Sequence, residues 1–213
     1  MICPFVDIYI RRKAQKEHYQ LPDNYKQILF DAVSCYKETG IKTVYSWLWD
    51  AGCKIPNASS SIPGVVLINS EWAFLLVTHY KDEAVVDAFK MTMGHEMTHK
   101  ENDYLYVEPF SRAGKFVYWV NEVHADYGGI VKAFEGDVFR GIRSMKFKWN
   151  CKGARDRDLR THPSWKRRIE FVSSSDFDCN LINRIAHITG CKDQELINRL
   201  CNHYDRIVLK RTI

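Results

Sequence analysis

The chain has 213 residues, 46% hydrophobic and 27% charged, the proportions of a globular chain long enough to bury one core, which excludes disorder and low complexity. The longest apolar stretch, Val65 to Val77, is broken by Asn69, Ser70 and Glu71, short of the roughly 20 apolar residues that a membrane span requires. The net charge of +5 is local: the segment from Arg140 to Arg168 holds eleven Lys/Arg against Asp156 and Asp158, leaving −4 elsewhere.

A run of that kind is ordinarily a solvated face, with an anion-binding patch as the alternative. The seven cysteines are scattered, odd in number and never spaced as CxxC. A disulfide framework or a thiolate zinc finger is therefore not expected, and a reducing, cytoplasmic location is.

The N-terminal MICPFVDIYIRRK places its charge after its apolar residues and has no small-residue cleavage site. It does not read as a secretory signal, so the mature chain is expected to start at Met1. Pro22 to Gly40 reads as an amphipathic helix, with Tyr25, Leu29, Ala32, Val33 and Tyr36 at helical spacing and Gly40 as its stop. The aromatic segment TVYSWLWDAG follows, then a loop from Ile55 to Pro63. GVVLI and WAFLLVTHY, rich in β-branched and aromatic residues, are predicted strands of a small sheet.

From Asp82 onward the pattern is helical. DEAVVDAFKMTMGHEMTHKEN forms one predicted helix, Lys115 to Phe134 a second, and Pro163 to Val172 a third with Thr161 or His162 as its cap. Two more, Asp178–Thr189 and Asp193–His203, flank Gly190. Without repeats or a long linker, residues 1–213 are expected to form a single domain, α+β and mostly helical, with the small sheet preceding the helix that carries HEMTH.

His95-Glu96-Met97-Thr98-His99 has the pattern HExxH. At 3.6 residues per turn, positions four apart project from one face, so both imidazoles can reach one tetrahedral metal. Glu96 flanks that metal, placed to take a proton from zinc-bound water. Two surface histidines on an amphipathic helix are the bland alternative.

A catalytic zinc takes a third protein ligand and keeps an open position. NEVHADYGG supplies Glu122 and Asp126, four apart on one face, the first as ligand and the second as acceptor of a ligating histidine's N–H. His124 is a rival ligand, but points about 200° away from Glu122 around the helix. Gly128-Gly129 marks either a close backbone approach or a helix end. His79, at the end of a predicted strand, reads as structural rather than as a pocket residue.

HEMTH, EVHAD and THPSWKRRIEFV together resemble the gluzincin metallopeptidases of the CAAX prenyl protease and HtpX group, whose pattern is HExxH, a Glu-helix ExxxD and a later (T/S)HPxxxxRI segment. The resemblance spans Gly64 to Val172. It implies a zincin-like fold, Zn2+ bound by His95, His99 and Glu122, Glu96 as general base, Asp126 in support, and His162 and Arg168 facing the catalytic centre. There the last two are suited to stabilising an oxyanion. It also implies a strand before the active-site helix, WAFLLVTHY or GVVLINS, whose edge receives an extended peptide or protein substrate.

Membrane members of that group have spans that this chain lacks. The tail, 173–213, either completes the core or covers the cleft. Two readings compete with a zinc endopeptidase. One is a regulatory peptidase resembling the ImmA type, against which Asp126 and the THP segment argue. The other is a non-catalytic zinc-containing protein that offers the basic 140–168 stretch to nucleic acid or an anionic surface, with Phe147 and Trp149 interleaved; core anchoring is the simpler role for those two aromatics.

Overall fold

The computed structural model describes residues 3–34, 42–46, 55–60, 62, 65–105, 108, 110–151 and 156–211, with side chains omitted at 42–46 and 208–211. In chain order the elements are α1 (Pro4–Lys16), α2 (Tyr25–Ser34), β1 (Lys42–Ser46), β2 (Ala58–Ser59), β3 (Val65–Asn69), α3 (Ser70–Thr78), α4 (Glu83–Asn102), α5 (Arg112–Phe134), α6 (Val138–Asn150), α7 (Trp165–Ser174), α8 (Cys179–Thr189) and α9 (Gln194–Arg211). The fold is mostly helical with one small sheet before α4, an α+β arrangement as expected.

The sheet has the order β1-β3-β2. β1 runs parallel to β3, pairing Lys42 with Val65, while β2 runs antiparallel, pairing Ala58 with Ile68. β3 is thus central, and β2 is the outer strand on one side. Asn69 organises this corner. Its side chain accepts from Asn57 N and Trp72 N and donates to Ile55 O, tying the start of β2 to the N-terminus of α3.

That cap also explains a correction. WAFLLVTHY is not a strand: Trp72 to Thr78 belong to α3, whose first turn is closed by Asn69. Eight of its nine residues are buried, so no polar face is left to write a helical period into the sequence. The expected substrate edge is displaced as well. Within the predicted strand GVVLI, Val65 to Ile68 belong to the central β3, and the outer strand is β2, inside the stretch predicted to be a loop.

α4 and α5 begin and end close to their predicted bounds. Asp82 caps α4 by accepting from Ala84 N, and Ser111 caps α5 by accepting from Gly114 N. The helix predicted from Pro22 is described over Tyr25–Ser34; its stop at Gly40 and the aromatic segment beyond Ser46 lie outside the described residues. α7 starts later than expected. Ser164, not Thr161 or His162, accepts from Arg167 N, and Pro163 precedes the cap instead of opening the helix.

Three apolar clusters surround the α4–α5 pair. The first joins α1, α2, β3 and α3 to one side of α4, with Trp72 and Phe89 ring to ring at 5.4 Å. A second joins α5 to α8 and α9 through Trp119, Phe171, Ile185 and Leu200. The third, with Met91, Ile130 and Met145, lies where α4, α5 and α6 meet. The tail therefore completes a core. A disulfide between Cys179 and Cys201 fastens α8 to α9. Helix packing brings these two together across 22 residues, and no local spacing announces it. Among the described residues no helix is long and apolar enough to cross a membrane.

Candidate metal centre

The site begins with the backbone approach of α4 and α5. A Cβ at Gly129 would lie 3.1 Å from both His95 N and Met91 O, and one at Gly94 would lie 3.1 Å from Gly129 O. At Gly128 it would run into the Thr98 side chain. Side chains are excluded from this crossing, so the Gly128-Gly129 pair serves a close approach inside a helix that continues to Phe134. About two turns before Gly129, Glu122 then reaches across to the histidines of α4.

His95 and His99 turn their Nε2 atoms toward one another at 3.0 Å. Glu122 Oε1 lies 3.4 Å from His99 Nε2, and Glu122 Oε2 lies 3.6 Å from His95 Nε2. Ligand atoms of the three side chains all fall within 4.8 Å of one another, a group that can hold a metal ion.

The far side of each imidazole is fixed by a carboxylate. His95 Nδ1 lies 3.0 Å from Asp126 Oδ1, and His99 Nδ1 lies 2.8 Å from Asp103 Oδ1. Ionised carboxylates only accept, so each Nδ1 donates and each Nε2 faces the centre. Asp126 has the supporting place expected of it. Asp103 was missed in the sequence, although its signal was there: it stands four residues after His99, at the C-cap of α4.

Burial and charge are finely opposed here. Burial alone would push the His99 imidazolium down, but the hydrogen bonds and charges of Asp103 and Glu122 carry its pKa up to about 11. Burial would raise Glu122; the charge and hydrogen bond of His162, with those of His99, hold it well below the ordinary carboxylate range. Asp126 follows the same pattern, with Arg168 as the lowering charge.

The remaining predicted residues gather around this cluster. His162, in the loop before α7, brings Nε2 to 3.1 Å from Glu122 Oε1 with half its side chain exposed. Glu96 is partly exposed and lines the same cleft, with no hydrogen bond or ion pair to any described residue. Arg168 is buried. Its Nε donates to Asp126 Oδ2 at 2.8 Å, and Nη1 lies 3.6 Å from Glu122 Oε2. Arg168 lines the cleft with its guanidinium bonded to Asp126, a geometry that suits holding that carboxylate.

His124 lies elsewhere. It is buried against Phe177 and Tyr204, with ring centroids 4.9 and 4.4 Å away, on the side of α5 opposite the centre. His79 packs on Tyr19 at 5.5 Å and does not line the cleft.

The cleft has a volume of about 1010 Å³ and runs past His95, His99 and Glu122 to residues 57–60 of the β2 edge. Lys100 and Lys148 fix that edge, the first donating to Ser60 O at 2.8 Å and the second to Pro56 O. No described residue beyond Arg168 lines it, so α8 and α9 do not plug it. Part of the basic segment is taken up by ion pairs within the chain. Arg140 and Arg143 pair with the buried Asp87, Arg167 with Asp158, and Arg168 with Asp126.

Comparison with known proteins finds no matching family model, curated protein or solved structure. Two imidazole nitrogens and a carboxylate beside an open cleft are a donor set that can hold a metal ion. Glu122 Oε2 is buried and makes no hydrogen bond, with Arg168 Nη1 and His95 Nε2 each 3.6 Å from it.

Proposed function

We propose that this chain is a zinc metalloendopeptidase of the gluzincin type, with His95, His99 and Glu122 as ligands. The observation that carries the reading is the convergence of the buried Glu122 carboxylate with two imidazole Nε2 atoms whose opposite nitrogens are held by carboxylates. Zinc bound there supplies Lewis acidity and lowers the pKa of a bound water to about 7.

The chain's own groups divide the rest of the work. Glu96, next to a ligand and open to the cleft, accepts the proton of the attacking water and returns it to the leaving amine. His162, half exposed at the mouth, has Nε2 3.1 Å from Glu122 Oε1; with that oxygen turned to a bound cation, Nε2 would be free to donate a hydrogen bond to the oxyanion that develops at the scissile carbonyl. Arg168 neutralises Asp126 and Glu122 and so keeps His95 in position. The outer strand β2, which borders the cleft, is where an extended peptide adds by main-chain hydrogen bonds.

A structural zinc site would close the coordination with four protein ligands, whereas here three ligands stand beside an open cleft. Nucleic-acid binding through residues 140–168 is disfavoured because four of its arginines are engaged with carboxylates of the same chain.

The test compares wild type with Glu96→Gln for cleavage of an unfolded protein. The variant should keep its zinc and lose about 100-fold or more in cleavage. Equal rates at equal zinc content would remove Glu96 from the mechanism.

A further inference from the structure

Asp103 stands at a vulnerable place. α4 ends at Asn102, and Asp103, its C-cap, donates its N–H to His99 O at 3.2 Å. Its carboxylate must nevertheless stay fixed to orient His99.

The C-terminal helix α9 grips the chain on both sides of it. His203 Nε2 donates to Asn102 O at 2.8 Å. On the other side the Asn121 side chain takes both polar groups of Tyr104: it accepts from Tyr104 N at 3.2 Å and donates to Tyr104 O at 3.1 Å. Tyr204 then donates to Asn121 Oδ1 at 2.5 Å. The rings of Tyr104 and His203 meet edge to face, 5.3 Å apart. The rings of Phe177 and His124 pack on Tyr204, and the Cys179–Cys201 bridge anchors α9 two residues before His203.

We infer that His203, Tyr204 and Asn121 form a clamp on residues 102–104 that positions Asp103, and through it the ligand His99. The consequence for metal binding rests on the zinc reading above; the clamp itself does not. α9 is then a working part of the centre, although none of it lines the cleft. These are positioning residues, and Asn121 also precedes the ligand Glu122 on α5, so one turn of that helix serves both sides of the site.

Two readouts test this. In metal-free protein, the downfield proton resonance of His99 Nδ1–H reports the bond to Asp103. It should broaden or vanish in Asn121→Leu and Tyr204→Phe and persist in Tyr127→Phe. Tyr127→Phe is the control because its hydroxyl also ties α5 to later chain, at Phe171 O and Ser175 O, without touching residues 102–104.

The second is cobalt(II) binding. Asp103→Ala should weaken it about 10- to 100-fold, and Tyr204→Phe about fivefold, the worth of one hydrogen bond. Adding Tyr204→Phe to Asp103→Ala should weaken it no further, because the clamp acts through Asp103. An unchanged His99 resonance in both Asn121→Leu and Tyr204→Phe would overturn the clamp, as would cobalt effects that multiply in the double variant. Absence of cobalt binding by wild type would instead overturn the metal centre, leaving the resonance to decide the clamp.

Discussion

Replacing Gly129 by alanine perturbs the contact on which the ligand geometry depends. At an ordinary helical position this change stabilises by about 1 kcal/mol, because alanine has the better helix propensity. At Gly129 the new methyl would stand 3.1 Å from His95 N and 3.1 Å from Met91 O, both backbone atoms of α4 that cannot rotate aside. Overpacking of this kind costs about 1–3 kcal/mol. The net expectation is a loss of about 1 kcal/mol in denaturant unfolding of the metal-free chain. The larger effect falls on zinc, since α5 carries Glu122 and the displaced backbone is that of His95 itself. We expect about tenfold weaker zinc binding, comparable to the loss of a supporting group, measured by competition with a chromogenic chelator. A variant that is about 1 kcal/mol more stable and binds zinc as wild type does would refute the claim that this backbone contact sets the ligand spacing.

Two further outcomes follow from the charges. Asp87 is 2% exposed and holds Arg140 by two hydrogen bonds of 2.7 Å, which keep its pKa below the ordinary value against the effect of burial. A lowered folded pKa gives stability that is present above the unfolded value and lost as pH falls through the folded one. Asp87→Asn should therefore cost about 1 kcal/mol at pH 7, modest because the Arg140 and Arg143 side chains remain 42% and 60% exposed. Its unfolding should also respond less than that of wild type to acid below about pH 4; identical acid profiles would remove the pair from the stability account. In metal-free protein, His99 is protonated up to about 11. That raised value stabilises fully below about pH 6.5 and is lost as pH rises through the folded pKa. Zinc must displace this proton, so calorimetry at pH 7 in buffers of different ionisation enthalpy should show release of about one proton, and none if His99 is not a ligand.

The parts of the fold legible in the sequence are those whose signal is local. α4 and α5 show a cap residue and a helical period, and His95/His99 and Glu122/Asp126 each lie four apart on one face, so the site could be read before any contact was known. The Gly128-Gly129 pair pointed to close packing for a reason that proved spatial: the partner is the backbone at Met91 and His95. Burial hides what local patterns would reveal. α3 looks like a strand because nearly every side is covered. α6 looks like a charge run because Arg140, Arg143 and Lys148 turn to Asp87 and Pro56 O. β2 consists of two residues that exist as a strand only through pairing with β3. The Asn121 clamp and the Cys179–Cys201 bridge join segments 17 to 101 residues apart, and no periodicity encodes such partners.

The ligand assignment is open to one direct measurement: zinc content per chain after exhaustive dialysis, for wild type, Glu122→Ala and His124→Gln, each first shown to be folded. The account predicts about one zinc in wild type and in His124→Gln and none in Glu122→Ala, because Glu122 completes the tetrahedral set while His124 sits among Phe177 and Tyr204. Zinc retained by Glu122→Ala, or lost from His124→Gln, would contradict it.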